Sequence, residues 1–201
     1  MSLKNAKLSF IVDVAIQLFL SRSIMDVTIK DIADKAEVGE ATIYRYFKKK
    51  HNIVLAACMK LQDNIRLNYF NMDAGKNGFE KIQIFYNSYY KIFIDSPKHF
   101  KFIKEFDSYM ADEGITLDEY EKSIDEYKNA FIAAYEEGLK DKSIASIDDI
   151  DLFYFSTTHS LLELCKKSAV DKELLSQDKS LKKGAEIAYL INIFLKKLQN
   201  S

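Results

Sequence analysis

One proline and six glycines in 201 residues leave this chain few places to break a helix. Proline removes a backbone donor and glycine adds backbone freedom, so both punctuate helices. At 48% hydrophobic and 13% aromatic, the chain can bury a sizeable core. Apolar residues recur at spacings of three and four, the helical period. No strand pattern of convincing length and no internal repeat is present. The expectation is an all-α protein of about nine helices.

The first helix is expected from about Asn5 to Arg22, with Leu8, Ile11, Ala15 and Leu18 on one face. A long helix starts near Lys50, where Ile53, Ala57, Leu61 and Ile65 repeat every four residues. It ends around Asn71, and the polar, glycine-bearing stretch from Asp73 to Gly78 marks the best domain boundary. Phe79, Ile82, Phe85, Tyr89 and Phe93 make the face of a fifth helix. Ser96 and Pro97 start a sixth bearing Phe102, Phe106 and Tyr109. Thr116 and Glu119 read as a capping box for a seventh, with the stripe Leu117, Tyr120, Ile124, Tyr127, Phe131 and Tyr135. Gly138 and the polar run to Ser146 end it. Ser146 with Asp149 caps an eighth, running to about Val170. The last spans about Asp178–Leu198.

The stretch 28–50 reads as a helix-turn-helix. Thr28 with Asp31 makes a capping-box start. Ile29, Ile32, Ala33 and Ala36 share one face of a short amphipathic helix. Glu37-Val38-Gly39 interrupts it: Val38 pins the turn to the core, and Gly39 can cap the next helix. From Glu40 the second helix carries Thr42, Tyr44, Arg45 and Tyr46, with Phe47 as anchor and Lys48–Lys50 following. Threonine reaches base edges or phosphates, and arginine forks onto guanine. Tyrosine hydroxyls and lysine ammoniums hold phosphates and set register. Only three arginines occur, and one, Arg45, sits here.

Residues 11–53 resemble the DNA-binding domain of TetR-family transcriptional regulators. The resemblance rests on Ile11, Ala15, Leu18 and Phe19, then Thr28, Ile32 and Ala33. It continues through Ala36 and Val38 to Thr42, Tyr44, Tyr46, Phe47 and Lys50. It implies a three-helix DNA-binding domain over 1–49 and a helical ligand-binding and dimerisation domain over 50–201, joined by the 50–71 helix. Thr28, Glu40, Thr42, Tyr44, Arg45, Tyr46 and Lys50 are the candidate DNA-facing residues. Three positions depart from the pattern. Ser23 replaces a usual glycine after the first helix, Glu37 replaces the glycine of the turn, and Gly39 replaces a serine cap. A non-glycine at a left-handed turn costs about 1 kcal/mol. Glu37 and Glu40 also bring negative charge to the DNA face.

Charge distribution agrees. Residues 1–50 hold nine Lys or Arg against six Asp or Glu, while the rest holds 20 against 24. The basic excess lies with the helix-turn-helix but is small, so a modest, salt-sensitive phosphate attraction is expected. No run of 18 apolar residues offers a membrane span, and the N-terminus lacks the apolar run of a secretion signal. Cys58 and Cys165 are too few for a disulfide framework, so a cytoplasmic protein with free thiols is expected.

The region beyond residue 75 is rich in aromatics. Such stripes are core packing or pocket walls. The family resemblance implies a small-molecule effector, with Tyr86, Tyr90, Phe102, Phe106, Tyr127, Phe131 and His159 as candidate contacts. An acid nearby, Glu105 or Glu163, would suit a cationic ligand; aromatics alone would suit a planar or acyl one. The last two helices are the candidate homodimer interface, through Leu161, Leu164, Leu181, Ala185, Ala188, Ile191 and Leu195. The same face could instead cover the protein's own core. A two-fold dimer would read a pseudo-palindromic operator in double-stranded DNA, with half-sites about 34–36 Å apart. His51, His99 and His159 are far apart, the cysteines form no ligand-spaced pair, and no metalloprotease, Walker A or dinucleotide fingerprint occurs. No enzyme activity, cofactor, metal or membrane partner is expected. Control by a protein partner and activation instead of repression remain open readings.

Overall fold

The computed structural model describes residues 3–113, 117–169 and 181–199. Among them the chain is all helical: α1 (Leu3–Ser21), α2 (Ile29–Lys35), α3 (Glu40–Phe47), α4 (Lys50–Tyr69), α5 (Gly78–Asp95), α6 (Pro97–Glu113), α7 (Asp118–Lys140), α8 (Ile150–Ser168) and α9 (Ala185–Leu198). Two compact units divide the chain. One comprises residues through Asn64 together with Lys101–Tyr120; the other comprises Ile65–Phe100 and the chain from Glu121 onward.

The first unit has an aliphatic core. Ile11, Ala15, Leu18 and Phe19 of α1 meet Ile29, Ile32 and Ala33 of α2, Ile43 of α3 and Ile53, Val54 and Ala57 of α4. Phe102, Ile103, Phe106 and Met110 of α6 complete it. The predicted capping box forms. Thr28 Oγ1 accepts the Asp31 amide at 3.1 Å, and Asp31 Oδ2 accepts the Thr28 amide at 2.7 Å. These bonds hold the Asp31 carboxyl below its ordinary pKa. Glu37 adopts a left-handed φ of 52°, as its place in the turn predicts. The next amide, Val38 N–H, donates to Ala33 O at 3.0 Å and closes α2. Ser23 takes no positive φ, so serine fits there without that strain. Lys48 does, at 63°, and the Lys49 amide folds back onto Phe47 O at 2.7 Å. That three-residue γ-turn ends α3 sharply before α4.

The second unit is built around rings. Phe85, Tyr86 and Phe131 pack edge to face with centroids 5.2–5.7 Å apart. Tyr154 lies 5.2 Å from Phe131, and Phe70 lies 4.9 Å from Tyr127. Such pairs add roughly 0.5–1.5 kcal/mol each beyond their buried area. The buried hydroxyls are satisfied locally: Tyr86 shares a 2.7 Å bond with Thr157 Oγ1, and Tyr135 accepts the Ile147 amide at 2.8 Å. Two glycines let α5 dock on the end of α7. A Cβ on Gly78 would stand 2.2 Å from Gly138 N, and one on Gly138 would stand 2.3 Å from Ile144 Cδ1. The Gly78 amide then donates to Asp141 Oδ2 at 2.9 Å.

Several boundaries differ from expectation. α7 ends at Lys140, two residues past Gly138, whose missing side chain makes room for Ile144. Asp149, not Ser146, caps α8, accepting the Leu152 amide at 2.9 Å. The last helix starts at Ala185, behind Gly184 at a left-handed φ of 78°. Its expected beginning near Asp178 lies outside the described residues, as do Thr116 and Val170. The 50–71 helix stops at Tyr69 and gives way to a 3-10 turn, Met72–Ala74.

Candidate functional site

The helix-turn-helix presents α3 on a buried pin. Ile43 is 0% exposed, which turns Glu40, Ala41, Tyr44 and Arg45 outward. Arg45 leans on its neighbour: its guanidinium carbon sits 4.9 Å over the Tyr46 ring, and Nη2 donates to the Tyr46 hydroxyl at 3.3 Å. Stacking limits the rotamers of a fork that must be planar to read a guanine edge. Thr42 and Tyr46 are half-buried, flanking the exposed pair. Gly39 caps α3 with extended backbone and no side-chain bond, leaving the first amides of α3 without that partner.

Two candidate contacts are engaged elsewhere. Thr28 Oγ1 donates to Asp31 Oδ2 at 2.8 Å while accepting its amide, so the hydroxyl serves the start of α2. Lys50 turns inward. Its ammonium donates to Ile24 O and, at 3.3 Å, to Met25 O, and lies 5.5 Å from the centre of the Tyr109 ring. Burial pulls its pKa below the ordinary lysine value. Lys50 is therefore a tie within the unit and not a free phosphate ligand. Lys48 and Lys49, whose place directly after the motif favours DNA contact, are exposed beside α3.

The aromatic candidates do not form one site. Tyr86, Tyr127 and Phe131 share the second core, with Tyr90 packed at its edge. Phe102 and Phe106 belong to the first unit's core, where Phe102 pairs with Phe19 at 6.2 Å. His159 is exposed on α8, 5.6 Å from Phe155. Glu105, the candidate acid of an aromatic box, instead accepts the Ile24 amide at 2.8 Å. Glu163 pairs with Lys166 at 2.7 Å. Helical period tells which residues share a face, but not which of two cores that face meets.

A half-open cavity of about 230 Å³ lies in the second unit, lined by Arg66, Phe70, Met72, Phe85, Glu126, Tyr127 and Ala130. Of the sequence candidates only Tyr127 lines it. Arg66 Nε and Glu126 Oε2 pair beside it at 3.2 Å. Arg66 and Phe70 lie one turn apart at the end of the fourth helix, a spacing legible in sequence.

The dimer candidates also divide. Leu161, Ile191 and Leu195 are 0%, 3% and 8% exposed and serve the unit's own core. Leu164 packs partly against it, Ala185 is half-buried, and Leu181 precedes the helix. Of the candidates on α9, only Ala188 is exposed. Tyr189 and Ile193, one turn apart, are exposed on the same helix, while α8 exposes Leu152 and Phe155. No helix among the described residues is long and apolar enough to cross a membrane.

Residues 11–57 match the family described as bacterial regulatory proteins, tetR family. The uncharacterized HTH-type transcriptional regulator YvkB of Bacillus subtilis (strain 168) is 43% identical over 54 residues, 27% of this chain and 29% of that protein. The matched stretch thus spans under a third of that relative. A solved TetR-family protein from Mesorhizobium loti MAFF303099 superposes with a TM-score of 0.71 at 16% identity, covering 100% of both chains. FadR of Bacillus subtilis, solved with stearoyl-CoA, superposes with a TM-score of 0.62 at 14% identity, covering 94% of this chain and 98% of that one. At such identities the likeness is one of fold. These relatives are transcription regulators, not enzymes. Residues 11–57 thus carry the helix-turn-helix domain of the TetR family of bacterial regulatory proteins, and the chain as a whole takes the fold of the solved TetR-family proteins.

Proposed function

We propose that the protein is a cytoplasmic, sequence-specific repressor that grips a pseudo-palindromic operator as a homodimer and releases it when a small apolar or aromatic ligand binds. Residues 1–49 would carry DNA recognition, and 50–201 ligand binding and dimerisation. The observation that carries the reading is the outward pair Tyr44 and Arg45, set on an α3 pinned by wholly buried Ile43. Arg45 would read a base edge, Tyr44 and Thr42 would hold phosphate or a thymine methyl, and Lys48 and Lys49 would supply backbone attraction. Glu40 at the start of α3 would repel phosphate or accept from cytosine.

The exposed Leu152, Phe155, Tyr189 and Ile193 support pairing with a second copy through α8 and α9. The effector site would be the cavity at Arg66, Phe70 and Tyr127. Its volume, about 230 Å³, falls below the usual ~300–1,000 Å³ of ligand pockets. A ligand there is small, or the surrounding rings must part to admit it. Binding would favour a conformer in which the recognition helices no longer match the half-site spacing. The coupling is reciprocal, so operator DNA would weaken ligand binding by the same factor.

Selection of bound DNA from a random pool, with an Arg45→Ala control, tests the reading. An enriched inverted repeat that Arg45→Ala loses or relaxes is the expected result. No enrichment at any salt concentration would sink it.

A further inference from the structure

The turn between α1 and α2 decides how α2, and with it α3, stands against α1. At its centre is Ile24, 1% exposed. Two charged side chains from outside the three head helices hold its backbone. Glu105 Oε2 of α6 accepts the Ile24 amide at 2.8 Å. The Lys50 ammonium of α4 donates to the Ile24 carbonyl and reaches the Met25 carbonyl at 3.3 Å. An anion thus holds the donor of one residue while a cation holds its acceptor. Both bonds are charge-assisted, the stronger class of protein hydrogen bond.

The contacts on α6 follow a single stripe at spacings of four. After Glu105 comes Tyr109, whose ring faces the Lys50 ammonium at 5.5 Å. Next comes Glu113, paired with His51 Nδ1 at 3.1 Å. The start of α4 and the α1–α2 turn are therefore tied to the same face of α6. Residues Pro97–Phe100 of α6 belong to the second compact unit and Lys101–Glu113 to the first.

We propose that Glu105 and Lys50 are positioning residues that set the DNA-reading geometry of α3 by clamping the Ile24 peptide groups, giving α6 a direct hold on the head that does not pass through α4 alone. This rests on the DNA-binding reading above. A shift of α6 along its axis moves the Glu105 carboxylate relative to the Ile24 amide. Hydrogen bonds weaken steeply with misalignment, so a small displacement is enough to release the turn. Loosening the turn lets α2 and α3 re-orient as a pair, because their own contacts are untouched. The consequence is specific: sequence discrimination falls, while attraction to phosphate, carried by Lys48 and Lys49, persists.

The test uses the full chain and the operator recovered by selection. Residue-resolved hydrogen exchange and binding to operator and to scrambled DNA are measured at one salt concentration. The proteins are wild type, Glu105→Ala, Glu105→Gln and Lys50→Met. Glu105→Ala is expected to speed exchange at Ile24 and to cut operator affinity by about tenfold or more. Scrambled-DNA affinity should change little. Glu105→Gln, which keeps an acceptor oxygen, should recover most of the loss. If Glu105→Ala does not fold, the comparison of Glu105→Gln and Lys50→Met with wild type decides in the same way. Unchanged Ile24 exchange, unchanged operator affinity, or an equal loss on both DNAs overturns the proposal. A wild type that selects no DNA overturns the parent reading together with it, a result distinct from a silent variant beside an active wild type.

Discussion

The two compact units solve the same packing problem with different side chains. The first unit buries mainly Ile, Val and Ala around the short α2 and α3, with Phe19 of α1 and a few aromatics of α6 closing it. The second unit buries rings, edge to face, with hydroxyls bonded to one another or to backbone. Small aliphatics let short helices approach closely and leave the polar residues of α3 free for the surface. Large rings fill the space between longer helices, but each interlocks with several others. A single truncation should therefore cost more in the second core than in the first.

The sharpest way to break that contrast is Phe131→Ala. Phe131 is 0% exposed and touches Phe85, Tyr86 and Tyr154. The expected loss is about 3–5 kcal/mol, against a loss towards the lower end of about 2–5 kcal/mol for Ile32→Ala in the head. Denaturant unfolding of both variants checks it, and similar losses would refute the contrast.

Next comes a buried ring nitrogen of the second unit. His99 is 4% exposed, its Nδ1 has no hydrogen-bond partner, and burial pushes its pKa down to about 4. The unfolded chain takes up this proton below pH ~6.5, whereas the folded protein resists until about 4. The unfolded state binds more protons in that window, so stability falls as pH drops from ~6.5 towards 4, by up to about 3 kcal/mol. His99→Phe should flatten the acid limb of a stability–pH curve. The same acid loss in both proteins would assign it to other groups.

Smaller effects belong to the head. Thr28→Ala removes the hydroxyl that caps α2 and should cost about 1 kcal/mol, read as a lowered denaturation midpoint. Glu37→Gly runs the other way. It relieves a left-handed φ of 52° and should stabilise by up to about 1 kcal/mol, less whatever the added freedom of glycine restores to the unfolded chain. A destabilised Glu37→Gly would mean that the Glu37 side chain contributes more than its backbone costs.

Legibility followed the range of the interaction. The capping box of Thr28 and Asp31, the left-handed turn at Glu37 and the proline start of α6 depend on neighbours within about four residues, and all three formed as read. Helix ends governed by distant partners did not. Nothing local to Gly138 showed that Ile144 fills the space of its missing Cβ, or that its backbone meets Gly78, 60 positions earlier in the chain. Lys50 and Glu105 looked like a phosphate ligand and a pocket acid, yet meet at the Ile24 peptide groups.

The sequence by itself determined an all-helical chain, the helix-turn-helix and its outward Tyr44 and Arg45, because periodicity and capping are local. Only the tertiary structure decided which core receives Phe102, Phe106, Ile191 and Leu195, and which side chains surround the cavity at Arg66. Those outcomes depend on which helix faces meet, and a face defined by its spacing carries no label for its partner.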